Sequence, residues 1–267
     1  MNGSPPRPAG PVEGVLFDID GVLVTSWQPL AGAAEALAAV RDRGIARAFL
    51  TNTTSRTRAE IAAALRDCGM AVDAREIVTA AALTAEHLRE VHPGRRCLLI
   101  NHGDIAGDMA GIEFDTRNPE VVVLGGAGPE FDHATLSRVV GLMQGGVPVV
   151  AMQGGLTWAT SDGIRIDTGA YLPGLEAAGN ARVAVVGKPS PTGFLAAAGL
   201  MGTPPDRTVM IGDDLQNDVL AAQRAGFIGV LVRTGKFRQS VLDAGEAPDH
   251  VVGSVADLPE LLVGLRR

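Results

Sequence analysis

The chain has few cysteines, no cluster of basic residues and no long apolar run, and each absence excludes a class of protein. Because only Cys68 and Cys97 occur, neither a disulfide framework nor a thiolate metal site is expected, and a reduced, cytoplasmic setting fits. The formal net charge is −7 and no run of Lys or Arg appears, so we expect no nucleic-acid partner. No apolar run reaches the roughly 18 residues of a membrane span, so we expect no membrane partner.

The composition is that of a folded protein with a short polar start. Hydrophobic residues make up 46% of the chain and charged residues 20%, which is typical of globular domains and unlike disordered segments. Residues 1–11 are rich in Pro, Gly and Ser and contain no apolar segment. We expect them to form a loose tail and not a signal peptide.

Short apolar runs recur along the rest of the chain, among them GVLFDID, RAFLTN, VAVVGK and TVMIGDD. They lack polar alternation, which suits strands buried on both faces of a parallel sheet. Helical patterns lie between them, such as Ala34, Leu37 and Val40 at three-residue spacing, followed by Gly44 as a C-cap. The alternation predicts an α/β fold with a doubly wound, Rossmann-like parallel sheet.

The stretch between Thr51 and Lys188 is too long for one crossover helix. It contains further apolar runs (CLLIN, VVVLGG, PVVAM) and a helical pattern over residues 132–143. We therefore predict an inserted α/β domain at residues 83–183, which interrupts a core formed by residues 1–82 and 184–267.

Polar side chains stand where the apolar runs end. The first run ends at Asp18, the second ends at Thr51, a later one leads to Lys188, and another ends at Asp213 and Asp214. Ligands of doubly wound sheets gather beyond the carboxyl ends of the strands. These carboxylates, the hydroxyl and the amine are therefore expected to converge.

The carboxylates at two strand ends suggest a metal site. Asp18 and Asp20 alone could form an acidic turn, but VMIGDDLQNDVLAAQRAG adds Asp213, Asp214 and Asp218, which is more than a helix cap requires. Mg²⁺ prefers hard oxygen ligands and is commonly held by one or two carboxylates and a substrate phosphate. We expect a Mg²⁺ site at Asp18 and Asp213, completed by the backbone carbonyl of Asp20.

A phosphate would need donors, and the chain offers them near the same strand ends. Lys188 in VVGKPSP offers a charge after a buried strand, and Thr51 offers a hydroxyl. The amides of TNTTS, which include those of Asn52, Thr53 and Thr54, could form an anion-binding nest. These five residues are the expected phosphate-binding set.

Four segments in this order resemble the motifs of the haloacid dehalogenase-like phosphatase superfamily. They are DIDG at residues 18–21, FLTN at 49–52, GKP at 187–189, and GDD at 212–214 continuing to Asp218. The insertion resembles the α/β cap of the NagD-like branch, and DTGAYLPGLEAA with VAVVGKPSPTGF resembles the return into its core. The likeness extends over nearly the whole chain.

The resemblance implies a role for each carboxylate. Asp18 would attack the phosphorus and form an aspartyl-phosphate, and Asp20 would protonate the leaving oxygen and then activate water. Mg²⁺ would be held by Asp18, Asp20 and Asp213. Asp214 and Asp218 would orient water or the phosphate-binding lysine.

The expected function is Mg²⁺-dependent hydrolysis of a small phosphorylated metabolite, pyrophosphate or phosphoramidate. One alternative is a non-catalytic protein that binds a phosphoryl ligand, which the intact motif set disfavours. Another is a dehalogenase, which Asp20 disfavours because an alkyl halide needs no protonated leaving group. The resemblance also implies a homodimer formed through the cap.

Other polar or aromatic positions are expected to have lesser roles. His102 and Asp104 lack a second histidine at useful spacing, so we expect a loop, and GGAGPEF at residues 125–131 is expected to be a turn between a strand and a helix. In VRTGKFR, at residues 232–238, we expect the basic side chains of Arg233, Lys236 and Arg238 to be solvated and not catalytic.

Four residues of the inserted domain are candidates for a substrate pocket. We expect Gln153, Leu156 and Trp158 to line it. Trp158 and Tyr171 could shape the pocket, although packing inside the inserted domain is at least an equal alternative for both.

Overall fold

The computed structural model describes residues 10–160 and 163–265, so residues 1–9 of the predicted tail lie outside the described part. Strands β1 to β14 span, in order, Gly14–Phe17, Val24–Thr25, Gln28–Pro29, Ala46–Thr51, Ile77–Thr79, Cys97–Ile100, Val121–Leu124, Val149–Ala151, Thr157–Thr160, Gly163–Ile166, Val183–Val185, Thr208–Gly212, Ile228–Val232 and His250–Val252. Helices α1 to α8 span Ala33–Asp42, Arg58–Asp67, Ala80–Val91, His133–Gln144, Leu172–Gly179, Pro191–Met201, Ala221–Arg224 and Leu258–Gly264.

The described residues fall into two compact units. The first draws on residues 10–51, 61–78 and 194–265, and the second on residues 52–60, 79–160 and 163–193. The predicted boundaries near residues 83 and 183, and the naming of the units as core and cap, stay predictions.

The first unit contains a six-stranded sheet in the order β14-β13-β12-β1-β4-β5. The pairs β1–β4, β1–β12, β12–β13 and β13–β14 are parallel. The chain order reverses around β1, which lies between β4 and β12, and ligands of doubly wound sheets bind at such a switch point. The predicted parallel α/β class is confirmed.

Apolar packing holds this sheet in place. Phe17 of β1 pairs in register with Phe49 of β4, and their rings stack at 5.6 Å between centroids. Helix α1 buries Leu37 and Val40 against the same core, as its sequence spacing predicts. The helix is followed by Gly44 at φ +66°, a conformation that suits glycine after a helix end.

The second unit contains its own parallel sheet, in the order β11-β8-β7-β6. Its core includes Val122 and Leu124 of β7 and Val139 of α4. Helix α4 begins after Asp132, whose side chain accepts the Thr135 N–H at 2.7 Å. Strands β9 and β10 form a separate antiparallel pair.

Two expectations from composition can be compared with the described residues. Cys68 and Cys97 are both free thiols, and burial raises the pKa of Cys97 to about 11. None of the helices in residues 10–160 and 163–265 is long and apolar enough to cross a membrane.

Candidate active site

Three buried carboxylates meet at the carboxyl ends of β1 and β12. Asp18 follows β1 directly, and its N–H donates to the Ile211 carbonyl at 2.9 Å, which extends the pairing with β12 by one residue. Asp213 follows β12, and Asp218 lies on the π-helical stretch Leu215–Leu220 that continues into α7. One carboxylate oxygen of each lies within 4.8 Å of the others.

The cluster and the predicted metal ligands share Asp18 and Asp213. Asp218, which was expected to orient water or the phosphate-binding lysine, is the third member of the cluster. Asp20 is exposed, and its carboxylate is not a member. Asp20 forms an isolated bridge with Val24, beside the Gly21 N–H that donates to the Val24 carbonyl at 2.7 Å. The expected contribution of Asp20 to the metal through its backbone carbonyl stays a prediction.

Helix geometry explains how Asp218 reaches the cluster. Its Oδ2 accepts the Asp214 N–H at 3.1 Å, which turns the side chain back toward the strand end. A Cβ at Gly212 would lie 2.3 Å from the Asp218 Cβ, so only glycine permits this approach. Asp214 caps the same helical stretch by accepting the N–H groups of Gln216 and Asn217.

The loop after β13 folds onto Asp213. Thr234 Oγ1 donates to the Gly21 carbonyl at 2.5 Å, and the Lys236 N–H donates to Asp213 Oδ2 at 2.7 Å. The Lys236 Nζ lies 3.5 Å from Asp214 Oδ2. The Lys236 side chain is 40% exposed, and the expectation that this basic loop is solvated and not catalytic stays a prediction.

The electrostatics of the cluster favour a bound cation. Burial and the neighbouring charges of Asp18 and Asp218 raise the pKa of Asp213 from its ordinary 3.8 to about 8. Burial alone would lower the pKa of Lys236, but nearby carboxylates, first that of Asp214, raise it. Three hard oxygen donors that repel one another fit Mg²⁺, which would offset their charge.

The predicted phosphate-binding residues occupy both units. Thr51 ends β4 in the first unit, next to β1, and is 2% exposed. In the second unit Lys188 is buried, and the Asn52 side chain forms two hydrogen bonds with its backbone. Asn52 Nδ2 donates to the Lys188 carbonyl at 2.9 Å, and Asn52 Oδ1 accepts the Lys188 N–H at 3.0 Å. The Asn52 side chain thus binds the lysine's backbone.

The loop that carries Thr53 and Thr54 is held by Asn101, which is not one of the predicted site residues. Asn101, directly after β6, donates from Nδ2 to the Thr54 carbonyl at 3.0 Å. Its Oδ1 accepts the Gly126 N–H at 2.8 Å. The sequence does mark Asn101 as a polar residue at a strand end, because the apolar run CLLIN ends at this asparagine.

The candidate pocket residues divide by burial. Gln153 is 1% exposed and its Oε1 accepts the Gly155 N–H, whereas Leu156 is 61% and Trp158 is 41% exposed. Tyr171 packs against Phe131 at 5.3 Å between ring centroids, which favours a packing role.

The minor candidates stand in loops. The His102 Nδ1 lies 3.2 Å from a Glu130 carboxylate oxygen on an exposed surface, and Asp104 accepts the Ala106 N–H at 3.0 Å. Residues 125–131 lie between β7 and α4, as predicted.

Comparisons with known proteins identify the family. A family model described as haloacid dehalogenase-like hydrolase matches residues 15–115, and a HAD-hydrolase-like model matches residues 185–258. Phospholysine phosphohistidine inorganic pyrophosphate phosphatase of Homo sapiens is 35% identical over 259 residues, covering 94% of each chain.

Solved structures agree with this assignment. NagD from E. coli K-12 superimposes with a TM-score of 0.81 at 28% identity, covering 92% of this chain and 98% of its own. The 4-nitrophenylphosphatase from Thermotoga maritima superimposes with a TM-score of 0.86 at 26% identity, covering 93% and 97%. The predicted resemblance is confirmed, and the chain belongs to the haloacid dehalogenase-like hydrolases, among the phosphatases of that family.

Proposed function

We propose that this protein is a Mg²⁺-dependent phosphatase that hydrolyses a small phosphorylated metabolite, pyrophosphate or a phosphoramidate through an aspartyl-phosphate on Asp18. The observation that carries the proposal is the cluster of Asp18, Asp213 and Asp218 at the switch point of the first unit's sheet.

The reaction has two displacements. An Asp18 carboxylate oxygen forms a bond to phosphorus while the bond from phosphorus to the leaving atom breaks, and Asp20 gives that atom its proton. Water then attacks the aspartyl-phosphate, Asp20 takes the water's proton, and phosphate leaves with the Asp18 carboxylate restored. The exposure of Asp20 supports this role, because a group that exchanges protons with water and leaving group must be accessible.

Asp18 and Asp213, with the Asp20 carbonyl, would hold the Mg²⁺. When bound, the ion supplies positive charge that lets a phosphoryl group approach the nucleophile. Asp218 and Asp214 would keep the site's carboxylates and water oriented, since Asp218 accepts the Asp214 N–H.

Thr51, Lys188 and the amides at Asn52, Thr53 and Thr54 would bind the other phosphoryl oxygens. The burial of Lys188, Thr51 and Thr54 supports this, because a buried ammonium or hydroxyl acts on a phosphate with little screening by water.

The names of relatives suggest the first substrates to test. They point to pyrophosphate, phosphohistidine, phospholysine and 4-nitrophenyl phosphate. We propose that the second unit acts as a cap that admits small substrates, so efficient dephosphorylation of a folded phosphoprotein would contradict this part.

The test is phosphate release with and without Mg²⁺ across those four compounds, pyridoxal phosphate, nucleotides and sugar phosphates. We expect release that needs Mg²⁺ and favours one compound. Acid-quenched Asp20→Asn protein should carry one extra phosphoryl group at Asp18 by mass spectrometry. Folded protein that binds Mg²⁺ but releases nothing would instead be the non-catalytic phosphoryl-binding protein.

The proposal includes a cytoplasmic location and a homodimer formed through the cap. Free Cys68 and Cys97 support the first. The second is supported by the exposed apolar side chains of the β9–β10 pair, Ile164 at 67% and Ile166 at 53%. Light scattering should show a dimer that Ile164→Lys dissociates, and a monomeric wild-type protein would exclude it.

A further inference from the structure

The loop after β13 touches the candidate metal site through its backbone. Gly235 has φ +60°, and a Cβ there would lie 2.0 Å from Asp213 Oδ2 and 2.7 Å from the Gly21 Cα. A Cβ at Gly21, which has φ +83°, would also lie 2.0 Å from Asp213 Oδ2. Two glycine backbones therefore enclose this oxygen, and a side chain at either place would displace it.

Polar contacts complete the enclosure. The Lys236 N–H donates to Asp213 Oδ2 at 2.7 Å, and Thr234 Oγ1 ties the loop to the Gly21 carbonyl at 2.5 Å. A carboxylate with one oxygen held by an amide and two glycines cannot rotate freely, so its other oxygen is presented in one orientation. The loop thereby joins the strand ends of β1, β12 and β13 around Asp213.

We propose that residues 234–236 form a backbone clamp that positions Asp213 for Mg²⁺, so that the loop sets metal affinity and not the phosphoryl chemistry. The inference rests on the proposed function, because it assumes that Asp213 is a metal ligand. Gly235 and Lys236 are positioning residues that act through Asp213, and the Lys236 ammonium additionally balances Asp214 at 3.5 Å.

The direct test is calorimetric titration of Mg²⁺ alone into the protein carrying Gly235→Ala. The added Cβ would displace Asp213 Oδ2, so we expect Mg²⁺ affinity to fall by about 10- to 100-fold, as when groups that orient metal ligands are lost. At saturating Mg²⁺, kcat should return to within about threefold of wild type.

The matched control is Gly44→Ala. Gly44 has φ +66°, close to the +60° of Gly235, but a Cβ there meets nothing within 4 Å. The two variants therefore share the backbone strain, and only Gly235→Ala disturbs the carboxylate. Thermal melting with EDTA would show whether both fold.

Further variants keep the test decisive. Thr234→Val removes the tie to Gly21 with little change in volume, so it should weaken Mg²⁺ binding in the same direction, and it serves if Gly235→Ala does not fold. Lys236→Met retains the N–H that Asp213 accepts, so the Mg²⁺ affinity of this variant should differ from that of wild type by less than about fivefold.

The outcomes separate the two proposals. Wild-type protein that neither binds Mg²⁺ nor hydrolyses any phosphate would overturn the proposed function and the clamp with it. An active, Mg²⁺-binding wild type whose Gly235→Ala or Thr234→Val form binds Mg²⁺ as tightly as Gly44→Ala would overturn the clamp alone.

Discussion

In the second unit a buried carboxylate is surrounded by donors, whereas in the first unit three buried carboxylates face one another. Asp108 is 8% exposed and accepts from the Arg58 N–H, the Arg58 Nε and the Thr79 hydroxyl, each at 3.0 Å. Asp18, Asp213 and Asp218 are equally buried but lie within 4.8 Å of each other.

The difference distinguishes a buried carboxylate that stabilises the fold from buried carboxylates that suit a bound cation. Donors around Asp108 compensate its lost hydration, so this carboxylate can stabilise the fold by itself. Asp213 and Asp218 also accept backbone N–H groups, but the three clustered carboxylates repel one another, and the fold retains them at a cost that a cation can offset. Both units have parallel sheets, so the groups that surround each carboxylate, and not the sheet topology, decide which arrangement forms.

The largest expected effect follows from removing the nucleophile in the first unit. Asp18→Asn should lower phosphate release on the order of 10⁴-fold, because an amide cannot form the aspartyl-phosphate. Asp104→Asn is the control, since Asp104 is an exposed carboxylate of the second unit that accepts one backbone N–H. A well-folded Asp18→Asn protein with retained Mg²⁺-dependent turnover would remove Asp18 as nucleophile.

Matched substitutions in the two units test the comparison itself. Asp218→Asn should weaken Mg²⁺ binding by about 10- to 100-fold and stabilise the metal-free protein, because it removes a like charge. Asp108→Asn should leave Mg²⁺ affinity unchanged and lower the free energy of unfolding by about 1–2 kcal/mol, because its new NH₂ group faces donors. Calorimetry and denaturant unfolding in EDTA measure both. The same sign of stability change in both variants would break the comparison.

A third test concerns how the second unit positions Lys188. Asn52→Ala removes both hydrogen bonds to the Lys188 backbone, so we expect kcat/KM to fall about tenfold, mainly through KM, with Mg²⁺ affinity unchanged. Asn52→Asp keeps an acceptor for the Lys188 N–H but turns a carboxylate oxygen toward the Lys188 carbonyl and adds a negative charge near the expected phosphate, so it should be impaired at least as much. Steady-state kinetics would contradict this role if both variants matched wild type.

The smallest expected effect is a pH dependence of stability in the metal-free protein, which we expect to arise from Asp213 in the first unit. The pKa of Asp213 is raised in the folded state to about 8, above its ordinary 3.8, so its contribution to stability is complete below about pH 4 and is lost as pH rises through about 8. The melting temperature in EDTA should therefore fall between about pH 4 and pH 8 and level off above that range, and Mg²⁺ should protect most at the upper end. Asp213→Asn should flatten this slope, and an unchanged slope in that variant would assign it elsewhere.

Sequence patterns predicted the α/β class because a parallel strand that is buried on both faces has a continuous run of apolar residues. Runs such as GVLFDID and TVMIGDD lack polar alternation, and both became central strands of the first unit. The same runs located Asp18 and Asp213, since the last residues of a parallel strand lie at the ligand-binding edge.

The contacts of other site residues are not predicted by any local sequence pattern. Lys236 belongs to a basic stretch that is typical of a solvated loop, yet its N–H reaches Asp213, 23 positions earlier in the chain. Asn52 has the sequence context of a phosphate-binding amide, but its side chain holds the backbone of a residue 136 positions away.

The sequence by itself therefore determined the strands, the parallel class and the carboxylates that end β1 and β12, because those features depend on the burial of neighbouring residues. Only the tertiary structure decided that Asp218 joins the carboxylate cluster and that the loop after β13 encloses Asp213. The reason is that these contacts depend on which strands lie side by side and on where glycine allows two backbones to approach a carboxylate.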